Sequence, residues 1–313
     1  MSDASYRTAA DIFGGWREGL LTGTKPILYP IGTGELARIE IGPGLVTLIG
    51  GAPGAGKTAF TMQCVVDALR LTPELRALVC NVEMSPALLL DRQLSRLSGI
   101  DLATIRQREF VAEHAERLDA AMDELGAIGE RLAFVRPPYA LDNIALAMEA
   151  TGAQLLVLDY IQRIAPPGEH GDRRGAVDAS MGFLRQFAEN HTAVMIVAAV
   201  ARQKDSKGRS SYAADGLSLA SFRESSELEF GADDAFILAP DPKEHGKVLL
   251  KHLKARNSEP RDITLTFDRC CQRFETTGGF EPWEPTPPGK LQTALAEAWN
   301  ATAPAADNME DEQ

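Results

Sequence analysis

The sequence has little of what marks secreted, membrane-spanning or zinc-binding proteins. Four of its 313 residues are cysteines, and none belongs to a Cys-x-x-Cys pair. Vicinal Cys270 and Cys271 have poor geometry for a disulfide, so we expect reduced thiols in a cytoplasm. The first eleven residues lack a secretory signal, and no apolar run is long enough to cross a bilayer. The five histidines are scattered, which argues against a metal site built from protein side chains alone.

Positive charge is outnumbered by negative charge, 32 Lys and Arg against 44 Asp and Glu, and the formal net charge of −12 argues at first sight against a nucleic-acid partner. The distribution of charge matters more than the sum. Residues 307–313 carry four carboxylates and no base, whereas residues 202–209 carry four basic side chains and one acid. An acidic body with one basic loop can still bind a phosphate backbone locally.

One glycine-rich stretch organises the rest of the chain. It comprises Gly51, Ala52, Pro53, Gly54, Ala55, Gly56, Lys57 and Thr58, with Ala59 next in a predicted helix over 58–71. An apolar run at 45–50 precedes it, so strand, glycine-rich turn and helix follow one another as a phosphate-binding loop requires. The glycines let successive N–H groups face one anion, and the helix N-terminus adds partial positive charge. Lys57 can reach the β- and γ-phosphates of a nucleoside triphosphate, and the Thr58 hydroxyl can ligate Mg²⁺.

Buried strands and helices alternate along the chain, which predicts an α/β fold with a doubly wound, mainly parallel sheet. After the phosphate loop, strands are predicted at 77–82, 132–135, 154–160, 193–200, 234–239, 247–254, 262–267 and 273–276. Predicted helices include one that Ser85 caps and Gly99 ends, one or two over 101–125, and one that Asp142 caps. Residues 164–178 are predicted to form an exposed loop. Residues 1–22 predict an amphipathic helix that either packs on its own domain or docks on a neighbouring subunit.

Two carboxylates follow apolar strands and point to phosphoryl chemistry. Asp159 closes the strand at 154–160, which puts it at the carboxyl edge of the sheet beside the phosphate loop, where it can hold Mg²⁺, usually through water. Glu83 directly follows the strand at 77–82. A carboxylate near the γ-phosphate can orient and deprotonate an attacking water.

Several segments together resemble the successive motifs of DnaB-type replicative helicases, in the right order. They are Gly51–Thr58, Asn81-Val82-Glu83-Met84-Ser85, Ser98–Arg106, Leu156–Gln162, Phe222-Arg223-Glu224-Ser225 and Lys254-Ala255-Arg256-Asn257. The resemblance covers about residues 24–274 and implies a RecA-like P-loop NTPase fold. It divides the chain into a linker-type helix at 1–23, a helicase ATPase domain at 24–278 and a Pro-rich, acidic tail at 279–313.

The resemblance also implies roles for individual residues. Glu83 would be the catalytic base and Asp159 the Mg²⁺ carboxylate, with ATP as the nucleotide. Arg256, with Lys254 beside it, would reach a neighbouring subunit's γ-phosphate, which implies a homo-oligomer, a ring of six. Two basic loops would line a channel for single-stranded DNA: 168–178, with Arg173 and Arg174, and 202–211, with Arg202, Lys204, Lys207 and Arg209. A helicase loader or replication initiator would be a further partner.

Two features depart from the family pattern. The family's N-terminal helical domain has no counterpart in the sequence. Its usual polar γ-phosphate sensor, typically Gln, aligns with Ala199, and a methyl group cannot hydrogen-bond a phosphate. Gln203 could substitute only if the strand ended differently. Three functions therefore remain open: a DNA helicase, a nucleotide-dependent assembly or switch protein that does not unwind DNA, and a recombination or repair ATPase on the same core.

Overall fold

The computed structural model describes residues 6–166, 168, 172–200, 203–204, 210–211, 217–222 and 227–276. Eleven strands are formed within these ranges: β1 (Val46–Gly51), β2 (Ala77–Asn81), β3 (Leu132–Phe134), β4 (Leu155–Asp159), β5 (Ala193–Ala199), β6 (Gln203–Lys204), β7 (Ser210–Ser211), β8 (Asp234–Pro240), β9 (Lys247–Ala255), β10 (Ile263–Asp268) and β11 (Arg273–Thr276). The helices are α1 (Ala9–Thr22), α2 (Lys57–Leu71), α3 (Pro86–Ser98), α4 (Leu102–Gln107), α5 (Ala115–Ile128), α6 (Leu141–Thr151), α7 (Arg173–Glu189) and α8 (Glu227–Gly231).

Nine of the strands form one sheet in the order β11-β10-β9-β8-β1-β5-β4-β2-β3. The six strands from β8 to β3 are parallel, and β9, β10 and β11 extend the sheet antiparallel. Central β1, β2, β4 and β5 are almost wholly buried, because helices cover both faces of a doubly wound sheet. The prediction of such a sheet is confirmed, and β1, β2, β4 and β5 present their carboxyl ends at one common edge.

Two buried clusters fill the two faces of the sheet. One contains α2, with Phe60, Val65 and Leu69, packed under β10 and β11. The other contains α6 and α7, with Ile144 and Leu184, packed under β4, β5 and β8. Both faces are therefore held by apolar burial, which leaves the carboxyl edge free for polar chemistry.

Two local predictions need correction, and the choice between one helix and two over 101–125 is resolved in favour of two. Helix α7 begins at Arg173, inside the segment predicted as a loop, and Asp172 caps it by accepting a hydrogen bond from the Gly175 N–H at 2.7 Å. Helix α6 begins after Ala140, and no side chain caps it; its start is set by the fully buried Leu141, whose N–H donates to the carbonyl of Ala165. The segment 101–125 forms α4 and part of α5, separated where Arg108 takes a left-handed conformation (φ 60°).

Helix α1 has a capped start but no buried face. Thr8 and Asp11 form a capping box, and none of the helix's side chains is buried. Ile12, Phe13, Trp16 and Leu20 are all more than half exposed. In the structure, α1 therefore does not bury its apolar side chains against its own domain. Across the described ranges, no helix is both long and apolar enough to cross a membrane.

Candidate active site

The phosphate loop curls between β1 and α2 at the carboxyl edge of the sheet. Gly54 (φ 76°) and Gly56 (φ 92°) take left-handed conformations that favour glycine. A Cβ on Gly56 would lie 2.7 Å from the Phe274 ring and 2.9 Å from the Phe267 ring, whereas a Cβ on Gly54 would meet nothing within 4 Å. The two glycines therefore serve different needs: Gly54 gives the turn its shape, and Gly56 also lets the loop rest on an aromatic pair.

The side chain of Lys57 lies within the curl of this loop. Its ammonium donates to the carbonyl of Gly51 at 2.9 Å and to that of Ala52 at 3.2 Å. Burial lowers the pKa of Lys57, and the charges of Asp159 and Glu83 oppose that effect. A half-buried ammonium whose hydrogen bonds go to neutral carbonyls is suited to bind an anion that enters the loop.

Asp159 ends β4 next to the start of α2. Its Oδ2 accepts hydrogen bonds from the Thr58 hydroxyl at 2.6 Å and from the Asn81 amide at 2.7 Å. The carboxylate is buried, and this burial raises its pKa. A divalent cation would offset that cost, so the Thr58 and Asp159 oxygens fit the Mg²⁺ role. In the part of the chain that the structure describes, no three His, Cys, Asp or Glu side chains form a metal cluster; Mg²⁺ commonly binds through one or two carboxylates plus water and substrate phosphates.

Asn81 connects the two candidate carboxylates. Its Oδ1 accepts from the N–H groups of Glu83 at 3.0 Å and Met84 at 2.8 Å, while its amide donates to Asp159. The turn that carries Glu83 is therefore tied to the end of β4. Glu83 itself is exposed and lines the same cavity as Lys57 and Thr58, which is where a base must lie to act on water near a γ-phosphate.

Sequence reasoning missed four residues that line this cavity, whose volume is about 490 Å³. They are Arg92 of α3, Phe267 of β10, and Arg269 and Gln272 of the turn before β11. Arg92 donates to Gln272 at 2.8 Å, and its buried Nε has no partner among the described residues. Arg269 donates to the Gly54 carbonyl at 3.0 Å and lies over the Phe267 ring. One signal was available: Arg92 falls three residues after buried Leu89, on the inward stripe of its helix.

Comparison with known proteins agrees with this geometry. The profile of the DnaB-like helicase C-terminal domain matches residues 40–276. The chain belongs to this family. Two solved structures share the fold of this DnaB-like domain at 19% identity: an ATPase domain (TM-score 0.74; 87% of this chain and 99% of that one) and a DnaB-like replicative helicase described with its primase interactions (TM-score 0.72; 87% and 67%). No curated protein matches the sequence significantly. The predicted RecA-like fold and DnaB-type resemblance are confirmed.

Ala199, the last residue of β5, lines the same cavity as Lys57 and Asp159. Its N–H donates to the Gln162 side-chain oxygen at 3.3 Å, and the Gln162 amide nitrogen is buried without a partner in the described part of the chain. Strands β6 and β7 form an antiparallel hairpin after β5. Ala199 thus lines the cavity and comes before that hairpin in the chain, and a methyl group occupies the position.

The basic residues predicted to bind DNA are distributed over two segments of the DnaB-like domain. Arg173 and Arg174 lie in the first turn of α7, and the Arg174 side chain is exposed. The backbone of Lys204 is in β6. Arg202, Lys207 and Arg209 lie outside the described residues, as do Arg223 and Glu224 of the motif after Phe222 and the tail predicted at 279–313.

Arg256 and Lys254 lie at the opposite edge of the sheet from the phosphate loop. Ala255 pairs with Asp234, which pairs with Thr47 near the start of β1, whereas the loop leaves the other end of β1. The five steps of β1 at about 3.3 Å each separate the two edges by roughly 17 Å. Arg256 pairs with Asp233 at 2.6 Å, and Lys254 donates to the Glu229 carbonyl at 2.7 Å. Neither cation is near its own chain's cavity.

Proposed function

We propose that this DnaB-like domain hydrolyses ATP at subunit interfaces of a homo-oligomeric ring of six and uses the energy to move along single-stranded DNA. The observation that carries the proposal is the division of charged groups between two edges of one sheet. Lys57, Thr58, Glu83 and Asp159 surround one cavity, and Arg256 lies at the far edge. A neighbouring copy is what would bring such an arginine to the cavity.

Each group has a defined task in this proposal. The loop N–H groups and Lys57 bind the β- and γ-phosphates, and Thr58 and Asp159 hold Mg²⁺. When bound with nucleotide, Mg²⁺ neutralises charge on the β- and γ-phosphate oxygens. Glu83 orients a water and takes its proton as the water attacks the γ-phosphorus; the bond from that phosphorus to the β–γ bridging oxygen breaks, and ADP leaves. The neighbour's Arg256 stabilises the charge that spreads over the phosphoryl oxygens, with Lys254 beside it; an arginine in this role is worth about 10³–10⁵ in rate.

Helix α1 supports the oligomeric part of the proposal. Its apolar side chains, with Phe13 and Trp16 at 5.5 Å between ring centroids, are exposed. Several large exposed apolar side chains on one helix are typical of an interaction surface. We assign residues 1–23 to a linker helix that docks on the next subunit, and 24–278 to the ATPase domain.

The β6–β7 hairpin supports the DNA-binding part. In the chain it follows β5, whose last residue, Ala199, lines the nucleotide cavity. Lys204, Lys207 and Arg209 would contact the phosphate backbone without reading bases. The salt dependence of single-strand binding is the slope of log K against log salt concentration. Loss of three phosphate contacts should reduce the magnitude of this slope by about 2.

The decisive test measures ATP turnover with and without a single-stranded oligonucleotide. The wild type should hydrolyse ATP faster with the oligonucleotide, and Lys57→Ala should abolish turnover. A Lys204→Ala/Lys207→Ala/Arg209→Ala variant should keep its DNA-free rate and lose the stimulation. Turnover that survives Lys57→Ala would refute the phosphate-loop assignment.

Ala199 favours a second candidate, a nucleotide-dependent switch that does not unwind DNA. A methyl group in the cavity wall cannot report the state of the γ-phosphate to the hairpin through a hydrogen bond. ATP turnover that single-stranded DNA leaves unchanged, together with no strand displacement, would favour this candidate over the helicase.

A further inference from the structure

Asp233, the residue before β8, carries an unusual set of partners. It is 1% exposed. Its Oδ2 accepts from the Val46 N–H at 2.8 Å and from the Arg185 guanidinium at 2.6 Å, and its Oδ1 pairs with the Arg256 guanidinium at 2.6 Å. One buried carboxylate therefore lies between two arginines, one from α7 and one from the end of β9.

The two arginines differ in exposure. The Arg185 side chain is 25% exposed and the Arg256 side chain is 49% exposed. A guanidinium has five N–H donors, and the ion pair of Arg256 with Asp233 uses the NH1 group. Asp233 therefore holds the inner side of the Arg256 guanidinium while half of the side chain faces out of the subunit.

The charges at this edge determine what Arg256 can do. An aspartate paired with Arg256 alone would neutralise it and weaken its attraction for a phosphate. Arg185 supplies a second positive charge, so Asp233 and its two arginines sum to +1, and Lys254 adds another cation nearby. Burial is the main cause that lowers the pKa of Lys254; the charges of Arg256 and Arg185 lower it further, and those of Asp233 and neighbouring Asp234 oppose them.

We propose that Asp233 and Arg185 are positioning residues for Arg256: Asp233 fixes its guanidinium, and Arg185 neutralises the carboxylate so that Arg256 keeps its charge for a phosphate. The ligand is the terminal phosphate of a nucleoside triphosphate bound by a second copy of this chain. This inference rests on the proposed function of Arg256 between subunits. The physical gain is preorganisation, because a donor held in place before the reaction needs no reordering during it.

Arg185→Gln tests the charge part of the proposal. This substitution leaves the Asp233–Arg256 pair in place but removes the neutralising charge. We expect kcat for ATP to fall about tenfold, which is less than the 10³–10⁵-fold contribution of an arginine at a phosphoryl transition state. KM should change less than about twofold, because the cavity itself is intact. Arg185→Lys should recover most of the rate. Arg70→Gln, which removes ion pairs with Glu124 and Asp67 elsewhere in the domain, is the matched control and should leave kcat unchanged.

A mixing experiment separates positioning from damage to the variant's own fold. Subunits with Lys57→Ala have no working cavity but carry a normal Arg256 edge. When Lys57→Ala subunits are mixed in excess with Arg185→Gln subunits, ATP turnover per intact cavity should rise. It should reach the value measured when the same excess of Lys57→Ala subunits is mixed with wild-type subunits. A Lys57→Ala/Arg256→Ala partner should give no such rise. Asp233→Asn should also lower kcat and respond to mixing in the same way, provided that a cooperative thermal unfolding transition shows that the variant is folded.

The outcomes distinguish a failure of the proposed function of Arg256 from a failure of the positioning roles of Asp233 and Arg185. A wild-type rate for Arg256→Ala would overturn the proposed function and this inference together. A slow Arg256→Ala that Lys57→Ala subunits rescue, alongside an Arg185→Gln at the wild-type rate, would overturn this inference alone. Equal loss in Arg185→Gln and Arg185→Lys would also overturn it, because charge would then not be what matters.

Discussion

The contact between Gly56 and the aromatic pair leads to a quantitative prediction about stability. Gly56→Ala adds a Cβ 2.7 Å from Phe274 and 2.9 Å from Phe267, distances that real Cβ atoms essentially never show. The two rings are stacked on each other at 4.1 Å between centroids, so neither can move freely. Gly54→Ala is the matched control, because Gly54 also has a positive φ but open space around its Cβ position.

The difference between the two variants isolates the clash. A non-glycine residue in the left-handed conformation costs about 1–2 kcal/mol, and both variants incur that cost. Overpacking a tight site costs about 1–3 kcal/mol more, and only Gly56→Ala incurs it. We therefore expect the free energy of unfolding of Gly56→Ala to be about 2 kcal/mol smaller than that of Gly54→Ala. For a domain of this size, the Tm of Gly56→Ala should then be lower by about 4–8 °C.

Thermal unfolding followed by circular dichroism checks this prediction. The protein should be free of nucleotide, because a bound ligand shifts Tm by mass action. Equal melting temperatures for the two variants, or a lower one for Gly54→Ala, would show that the rings do not brace the loop as described.

Three further predictions concern the cavity and α1. Glu83→Gln should lower kcat about 10²–10⁴-fold and leave the affinity for a fluorescent ATP analogue within a few-fold; a normal turnover rate would remove Glu83 as the base. Asp159→Asn should abolish turnover yet raise Tm at neutral pH, because burial raises the pKa of Asp159 and the folded state must hold an unfavourable charge. That Tm gain should shrink as the pH falls toward the ordinary Asp pKa of 3.8, where the folded state binds the proton more tightly; a gain independent of pH would contradict the desolvation argument. Trp16→Glu should reduce assembly in light scattering, whereas Arg17→Glu on the same helix should not; equal effects would argue against docking through the apolar side chains of α1.

Features that depend on neighbouring residues along the chain could be predicted from the sequence. The phosphate loop follows from glycines between an apolar strand and a helix, and Asp159 follows from an apolar run that ends in a carboxylate. The parallel sheet follows from alternation. Each of these rests on local pattern and on the rule that parallel strands end at one edge.

Features that depend on tertiary contacts could not be predicted in this way. Phe267, Arg269 and Gln272 reach the cavity because β10 and β11 fold back beside a loop that lies far earlier in the chain. The start of α6 is set by burial of Leu141 and not by the Asp142 side chain. The Arg185–Asp233–Arg256 cluster joins three distant segments that no periodicity connects.

The central claim is that one subunit supplies the cavity and its neighbour supplies Arg256. Its most direct test is ATP turnover by a mixture of Lys57→Ala and Arg256→Ala proteins, each of which should be nearly inactive alone. The account predicts that the mixture regains activity, because an Arg256→Ala subunit keeps an intact cavity that a Lys57→Ala neighbour completes. An Arg256→Ala protein that turns over ATP at the wild-type rate as a monomer would contradict it.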